Sequence, residues 1–153
     1  MRTFLWSLAF TLTSFSTAAW AEKNLVVVEL YTSQGCSSCP PADALMHELA
    51  VRDDVIPLAL HVDYWDYIGW KDTFGKHEFT RRQKAYARVT DRNVIYTPQM
   101  IINGDRDVVG NRPMDLAEML IASKFTAPKV TVEISRTGNA LTVNAIALEA
   151  VGT

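Results

Sequence analysis

The apolar run Leu-Val-Val-Val-Glu-Leu-Tyr at residues 25–31 constrains the fold most, because a cysteine pair follows shortly after it. A short, β-branched and nearly continuous apolar run is typical of a strand buried on both faces. Turn residues at 32–35 separate this strand from Cys36-Ser37-Ser38-Cys39. Apolar residues then recur at three- and four-residue spacing, which predicts a helix from about Ser37 to Arg52. The cysteines are therefore expected where a buried strand meets the start of a helix.

Residues 55–62 predict a second buried strand, and strand, helix and strand at this spacing imply a right-handed parallel crossover. An aromatic-rich segment follows, and then a polar helix from about Lys76 to Val89. The residues of this helix that we expect to face the core are Phe79, Tyr86 and Val89.

The remaining residues predict two hairpins and a helix. Asn103-Gly104 is a strong hairpin signal between strands at 99–102 and 106–109. Pro113 is well placed to begin a helix that continues to about Lys124. Alternating residues at 129–135 predict a strand with Val130, Val132 and Ile134 pointing inward, and the chain is expected to run back from Leu141 to Leu148. This C-terminal hairpin either docks on the main domain or is cut short.

The first 21 residues predict a secretory signal peptide. Arg2 precedes an apolar run of about a dozen residues, and Ala19-Trp20-Ala21 offers a cleavage site. The alternative is an uncleaved membrane anchor, which requires about 20 predominantly apolar residues. We expect a mature chain that begins at Glu22, has no membrane attachment and is periplasmic or secreted, where disulfides persist.

Composition and cysteine spacing narrow the function. The chain is 48% hydrophobic and 21% charged, which is ordinary for a globular domain. Its formal net charge of −2 argues against nucleic acid as a partner. The two cysteines would close only a very short loop, and such a loop contributes little as a structural staple. A redox role therefore explains the pair better than a structural one.

The position of Cys36 and Cys39 predicts a division of roles. A helix N-terminus carries free N–H groups and partial positive charge, so Cys36 should be more acidic than a free thiol and should attack first. Cys39 should be more buried and should act as the resolving thiol. No cofactor is implied.

The predicted order β-α-β-α-β-β-α with this cysteine pair resembles thioredoxin. Three blocks narrow the resemblance to the secreted family catalogued as domain of unknown function 1223: residues 29–43, His61-Val62-Asp63-Tyr64-Trp65-Asp66, and Tyr96-Thr97-Pro98-Gln99. The resemblance implies an α/β, thioredoxin-like fold at residues 22–126, with a central mixed sheet flanked by helices. Members usually continue with a longer β-rich region, so the short hairpin at 127–153 is either an appendage or a truncated part of that region.

The same resemblance implies that Pro98 is cis and faces the cysteines. Proline lacks an N–H, which leaves the backbone at Thr97 free to pair with an extended substrate. The alternative is an ordinary trans-proline that begins an edge strand.

The loop after the second strand adds candidate residues. His61 or Asp63 could move protons during exchange, and Trp65 and Asp66 could contact substrate. The alternative is that these residues cap the loop, or that Trp65 belongs to the core.

Three functions remain open at this point. The leading one is an oxidoreductase that exchanges disulfides with a protein or a small thiol. The second is a carrier of a soft metal such as copper(I), held by both cysteines with His61 as a third ligand. The third is a binding module that keeps the fold without the reaction. Structural zinc is disfavoured because it requires four ligands. The sequence does not specify the oligomeric state.

Overall fold

The computed structural model describes residues 25–150, so the predicted signal peptide lies outside the described residues. The elements in chain order are β1 (Val26–Thr32), α1 (Pro40–Ala50), β2 (Val55–His61), a 3₁₀ turn (Asp66–Ile68), α2 (His77–Val89), β3 (Gln99–Ile102), β4 (Arg106–Val109), α3 (Pro113–Lys124), β5 (Val130–Thr137) and β6 (Ala140–Ala147). None of the helices within this part of the chain is long and apolar enough to cross a membrane.

Four strands form a mixed sheet in the order β2-β1-β3-β4. Strand β1 is parallel to β2 and antiparallel to β3, and β3 is antiparallel to β4. Helices α1 and α3 pack on one face through apolar side chains, and α2 lies on the other face beside Tyr31 and Ile101. This arrangement confirms the predicted α/β class and is consistent with a thioredoxin-like fold.

Helix α1 begins at Pro40, three residues later than predicted from the apolar spacing. Cys39 is its N-cap residue, and Cys36 lies in the turn before the helix. Consecutive prolines at the first two helical positions explain the difference, because neither Pro40 nor Pro41 has an N–H to donate to the carbonyl four residues earlier, so the helical hydrogen bonds cannot extend back to Cys36 and Ser37.

Helix α2 faces the sheet with polar side chains, contrary to the prediction for Val89. Val89 is 86% exposed, whereas Thr80 and Gln83 are buried. Phe79 and Tyr86 are partly buried, as their predicted core-facing positions require. The helix is oriented by hydrogen bonds to the sheet, which the periodicity of its few apolar residues does not reveal.

The strongest of these polar contacts surrounds Glu29, which is buried in the middle of β1. Its carboxylate accepts two hydrogen bonds from Arg82, at 2.8 and 2.6 Å, and one each from the hydroxyls of Tyr31 and Tyr86. Burial raises the pKa of Glu29, but the hydrogen bonds from Arg82, Tyr31 and Tyr86 outweigh it and hold that pKa below its usual value. Glu29 is therefore ionised, and α2 is tied to the central strand.

Strands β5 and β6 form the predicted C-terminal hairpin as a separate two-stranded sheet. Residues paired across an antiparallel ladder share one face, and one face here is largely apolar. Its members are Val130, Val132, Ile134, Leu141, Val143, Ala145, Ala147 and one charged residue, Arg136. The prediction that the valines and Ile134 point inward is wrong, since Val132 and Ile134 are more than half exposed.

Replacing Arg82 with Met tests the ion pair at Glu29. We expect a loss of roughly 2 kcal/mol in the free energy of unfolding at pH 7, because a buried carboxylate keeps only its two tyrosine donors. The loss should shrink as the pH falls below 4.5, the usual pKa of a glutamate. The pKa of Glu29 is lowered in the folded protein, so the ion pair contributes stability only while this carboxylate is ionised. Urea unfolding across this pH range measures both effects.

Arg81→Met is the matched control, because Arg81 is the exposed neighbour on the same helix. An equal loss in both variants, or a loss at Arg82 that does not change with pH, would contradict the role assigned to Glu29.

Candidate redox site

Three chain segments meet at one edge of the sheet. In the strand register, Thr32 at the end of β1 lies beside His61 at the end of β2. Tyr31 lies opposite Gln99, which begins β3. Three segments therefore extend from the same edge. They are residues 33–39 with both cysteines, which we call the cysteine turn, the segment after His61, and residues 96–98, which we call the Pro98 turn.

Cys36 and Cys39 form a disulfide, as the redox interpretation of the pair requires. Backbone hydrogen bonds fold the turn tightly, from Cys36 N–H to the Ser33 carbonyl at 3.0 Å and from Cys39 N–H to the Cys36 carbonyl at 3.2 Å. Cys39 is fully buried and Cys36 is 3% exposed, and Ser37 and Ser38 between them are exposed. Cys39 is thus the more buried residue of the pair, as predicted, by a small margin.

Helix α1 offers Cys36 fewer N–H donors than the sequence suggested. Pro40 and Pro41 have no N–H, and the N–H groups of Ala42 and Asp43 both donate to the Cys39 carbonyl. A side-chain donor is present in the hydroxyl of Ser38, whose Oγ lies 3.6 Å from the Cys36 Sγ. Ser38 is therefore positioned to stabilise a Cys36 thiolate after reduction.

The Thr97–Pro98 peptide bond is cis, as the family resemblance implied. Pro98 is buried, and its carbonyl accepts a hydrogen bond from the Gly110 N–H at 2.9 Å. A Cβ atom at Gly110 would lie 3.0 Å from the Pro98 Cβ and 3.1 Å from the Cβ of Ala42 in α1. Pro98 therefore packs close to the first turn of the helix that follows the cysteines, and Gly110 makes the approach possible.

Trp65 connects the Pro98 turn to the cysteine turn. Its indole Nε1–H donates to the Thr97 Oγ1 at 2.8 Å. On the other side, a Cβ atom at Gly35 would lie 3.1 Å from both the Trp65 Cβ and the Ile68 Cδ1. Trp65 is partly buried and stacks with Tyr67, which is 80% exposed. Trp65 thus lies between the two turns.

Gln83 supports the Pro98 turn from α2, a role that the sequence did not predict. Its side chain is buried, and its Nε2 donates to the Tyr96 carbonyl and to the Gln99 Oε1, both at 2.7 Å. These two acceptors flank Thr97 and Pro98 in the chain. The turn is therefore held from α2 on one side and by Trp65 on the other.

His61 contacts a partner that sequence reasoning also missed. Its Nδ1 lies 2.7 Å from Asp72 Oδ2, and the same oxygen accepts the Gln34 N–H at 2.7 Å. Asp72 is buried, and its Oδ1 accepts the Phe74 N–H at 2.9 Å. Burial raises the pKa of Asp72, but bonds from Gln34, His61 and Phe74 outweigh it and keep that pKa below its usual value.

Asp63 and Asp66 have contacts that correspond to the loop-capping alternative. Asp63 accepts the Thr80 hydroxyl at 2.6 Å and lies 2.9 Å from His77 Nδ1, which joins the segment to α2. Asp66 accepts the Asp72 N–H at 3.1 Å. Their predicted roles in proton transfer and substrate binding remain predictions.

Within residues 25–150, no group of three or more His, Cys, Asp or Glu side chains is arranged to hold a metal ion. His61, the proposed third ligand for copper, forms no such group with the cysteines in this part of the chain.

Replacing Ser38 with Ala tests the hydroxyl beside Cys36. In the reduced protein, the pH midpoint for alkylation of Cys36 should rise by about one unit, because a hydrogen bond to a charged group contributes about 1.5–3 kcal/mol. The rate of iodoacetamide labelling against pH measures the midpoint. Ser37→Ala, the same change at the exposed neighbour, should leave it unchanged. Equal shifts in the two variants would show that Ser38 has no specific role.

Comparison with known proteins places the chain in a family. A solved crystal structure from Agrobacterium tumefaciens, a structural genomics target, is similar with a TM-score of 0.72 and 40% sequence identity, over 80% of this chain and 57% of that one. A comparison with curated proteins found no match. Residues 27–151 match the family described as "Protein of unknown function (DUF1223)". The chain therefore belongs to the DUF1223 family, as the three sequence blocks implied.

Proposed function

We propose that the protein is an exported thiol–disulfide oxidoreductase that uses Cys36 and Cys39. The observation that carries this proposal is the bonded cysteine pair between β1 and α1, at the sheet edge from which the Pro98 turn also extends. A purely structural role is poorly supported, because a bond between residues three positions apart closes only a short loop and therefore contributes little to stability.

The exchange needs two electrons, and the cysteine pair carries both. In the reducing direction, the Cys36 thiolate attacks one sulfur of a substrate disulfide, forms a mixed disulfide and releases the other sulfur as a thiolate. The Cys39 thiolate then attacks Cys36, closes the Cys36–Cys39 bond and releases the second substrate thiolate. Each released thiolate takes up one proton from a cysteine thiol or from water. The oxidising direction is the reverse.

Burial supports the assignment of the two sulfurs. Cys39 is fully buried, and a second molecule cannot reach it without moving the turn. Cys36 keeps 3% exposure, so it is the residue of the pair that a second molecule can approach first. Cys36 is therefore the attacking residue and Cys39 the resolving residue.

The segment beside the cysteine turn favours a polypeptide partner over a small polar thiol. Four of its large apolar side chains are between 48% and 80% exposed: Tyr67, Ile68, Trp70 and Phe74. Ile68 also approaches Gly35, next to Cys36. Exposed apolar groups bind best to other apolar surface, so an unfolded or extended chain that presents apolar residues beside its disulfide is the preferred substrate.

Trapping tests the division of labour between the cysteines. In a host that exports the protein, Cys39→Ala should accumulate mixed disulfides with partner proteins, because the resolving thiol is missing. Cys36→Ala should accumulate none, because the attacking thiol is missing. Non-reducing gels with and without dithiothreitol detect these adducts.

The outcomes separate the rival functions. If neither variant captures a partner and the wild-type protein binds copper(I) tightly through both cysteines, the protein is a metal carrier. If neither occurs, it is a binding module without the reaction. Adducts in the Cys36→Ala variant alone would reverse the roles of the two sulfurs.

Export is part of the proposal and rests on residues 1–21. Intact-mass measurement of the protein from a secreting host should give a chain that begins at Glu22. A major species that retains residues 1–21 would instead indicate a membrane anchor.

A further inference from the structure

Asp72 binds two groups of different kinds with one oxygen atom. Its Oδ2 accepts the backbone N–H of Gln34, two residues before Cys36, and also lies 2.7 Å from His61 Nδ1. The carboxylate is buried and anchored by the Phe74 N–H on its other oxygen. The imidazole and the cysteine turn therefore share a single negatively charged acceptor.

The contact with Asp72 indicates which tautomer of the imidazole is present. An ionised carboxylate can only accept, so we assign the hydrogen to Nδ1 of His61, which leaves Nε2 as the second nitrogen of the ring. The side chain of His61 is 21% exposed, and its ring lies against Phe74 with 5.3 Å between ring centroids. The imidazole is thus held in one orientation, yet remains accessible to protons from solvent.

We propose that His61 and Asp72 form a positioning pair that sets the reactivity of Cys36 according to the charge on the imidazole. This inference deepens the proposed oxidoreductase function and rests on it. With neutral His61, Asp72 places a full negative charge next to the cysteine turn and disfavours a thiolate at Cys36. With protonated His61, the pair has no net charge, and the thiolate forms more readily.

Other charged groups surround this pair. Asp43 of α1 accepts the hydroxyl of Thr32, the register partner of His61, at 2.8 Å. Lys76 donates its backbone N–H to the His61 carbonyl, and Asp66 accepts the Asp72 N–H. Among the hydrogen bonds of residues 25–150, the carboxylate of Asp43 accepts from Thr32 and that of Asp66 from Asp72, whereas the carboxylate of Asp72 accepts a backbone N–H just before Cys36. We therefore assign the effect to Asp72.

The chain contains a matched control in His77. This residue also bonds an aspartate through Nδ1, at 2.9 Å from Asp63, but Asp63 binds Thr80 of α2 instead of the cysteine turn.

Linkage between two binding events is reciprocal. If a proton on His61 favours the thiolate form of Cys36, then a thiolate at Cys36 must strengthen the binding of that proton to His61 by the same factor.

The first test follows the histidine ring signals by NMR across pH in the oxidised and the reduced full chain. At pH values where Cys36 is a thiolate, reduction should raise the titration midpoint of His61 by about half to one pH unit, which is a threefold to tenfold effect. The midpoint of His77 should not move. Equal shifts of both histidines, or no shift at His61, would overturn the proposal without any variant.

The second test uses substitutions of opposite sign. His61→Gln removes the cation and should raise the pH midpoint of Cys36 alkylation, whereas Asp72→Asn removes the anion and should lower it. A merely structural role predicts that both changes disturb the turn in the same way, so shifts of the same sign would overturn the proposal. His77→Gln should leave the midpoint unchanged.

Neither readout needs a partner protein. A coupled His61 titration without trapped partners would overturn the oxidoreductase function and keep the pair. Trapped partners without coupling of His61 to the cysteines would keep the oxidoreductase function and overturn the role of the pair.

Discussion

Strand β1 forms hydrogen bonds to β2 on one side and to β3 on the other, and the whole site depends on this double pairing. Because β2 is parallel and β3 antiparallel to β1, the ends of β1 and β2 and the beginning of β3 share one sheet edge. Backbone pairing alone therefore brings the cysteine turn, His61 and the Pro98 turn together. Side chains such as Trp65 then fix the distances between the segments.

Helix α2 contributes to the site because its attachment is polar. Thr80 binds Asp63 and Gln83 binds the Tyr96 carbonyl, so one helix holds both segments that flank the cysteine turn. Arg82 fixes the same helix to Glu29 in β1. Apolar burial is non-directional and would tolerate sliding of the helix, whereas each hydrogen bond requires one geometry. The polar face that misled the prediction for Val89 is what gives α2 its positioning role.

The sequence predicted what local patterns determine. Apolar runs predicted the strands, Asn103-Gly104 predicted the first hairpin, and the family resemblance implied the cis Pro98. The start of α1 was predicted about three residues too early, because the spacing of apolar residues carries no information about the N–H groups that Pro40 and Pro41 lack. Asp72 was missed because its partners lie 38 and 11 positions away and leave no periodic signal. Alternation in the C-terminal hairpin predicted the strands and their faces, but alternation does not reveal whether a face is covered.

The prolines at positions 40 and 41 change where stabilisation of a thiolate can come from. A helix N-terminus normally supplies free N–H groups to an anion, but two are missing here and the next two serve the Cys39 carbonyl. Two sources that can influence a thiolate at Cys36 remain. One is the Ser38 hydroxyl, and the other is the pair of Asp72 and His61, which contacts the cysteine turn through the Gln34 N–H. A hydroxyl stabilises an anion equally at any physiological pH, whereas imidazole changes its charge between about pH 5 and 8. A cysteine that depends on the imidazole reacts according to the pH of its compartment, and for the proposed exported chain that compartment lies outside the cytoplasm.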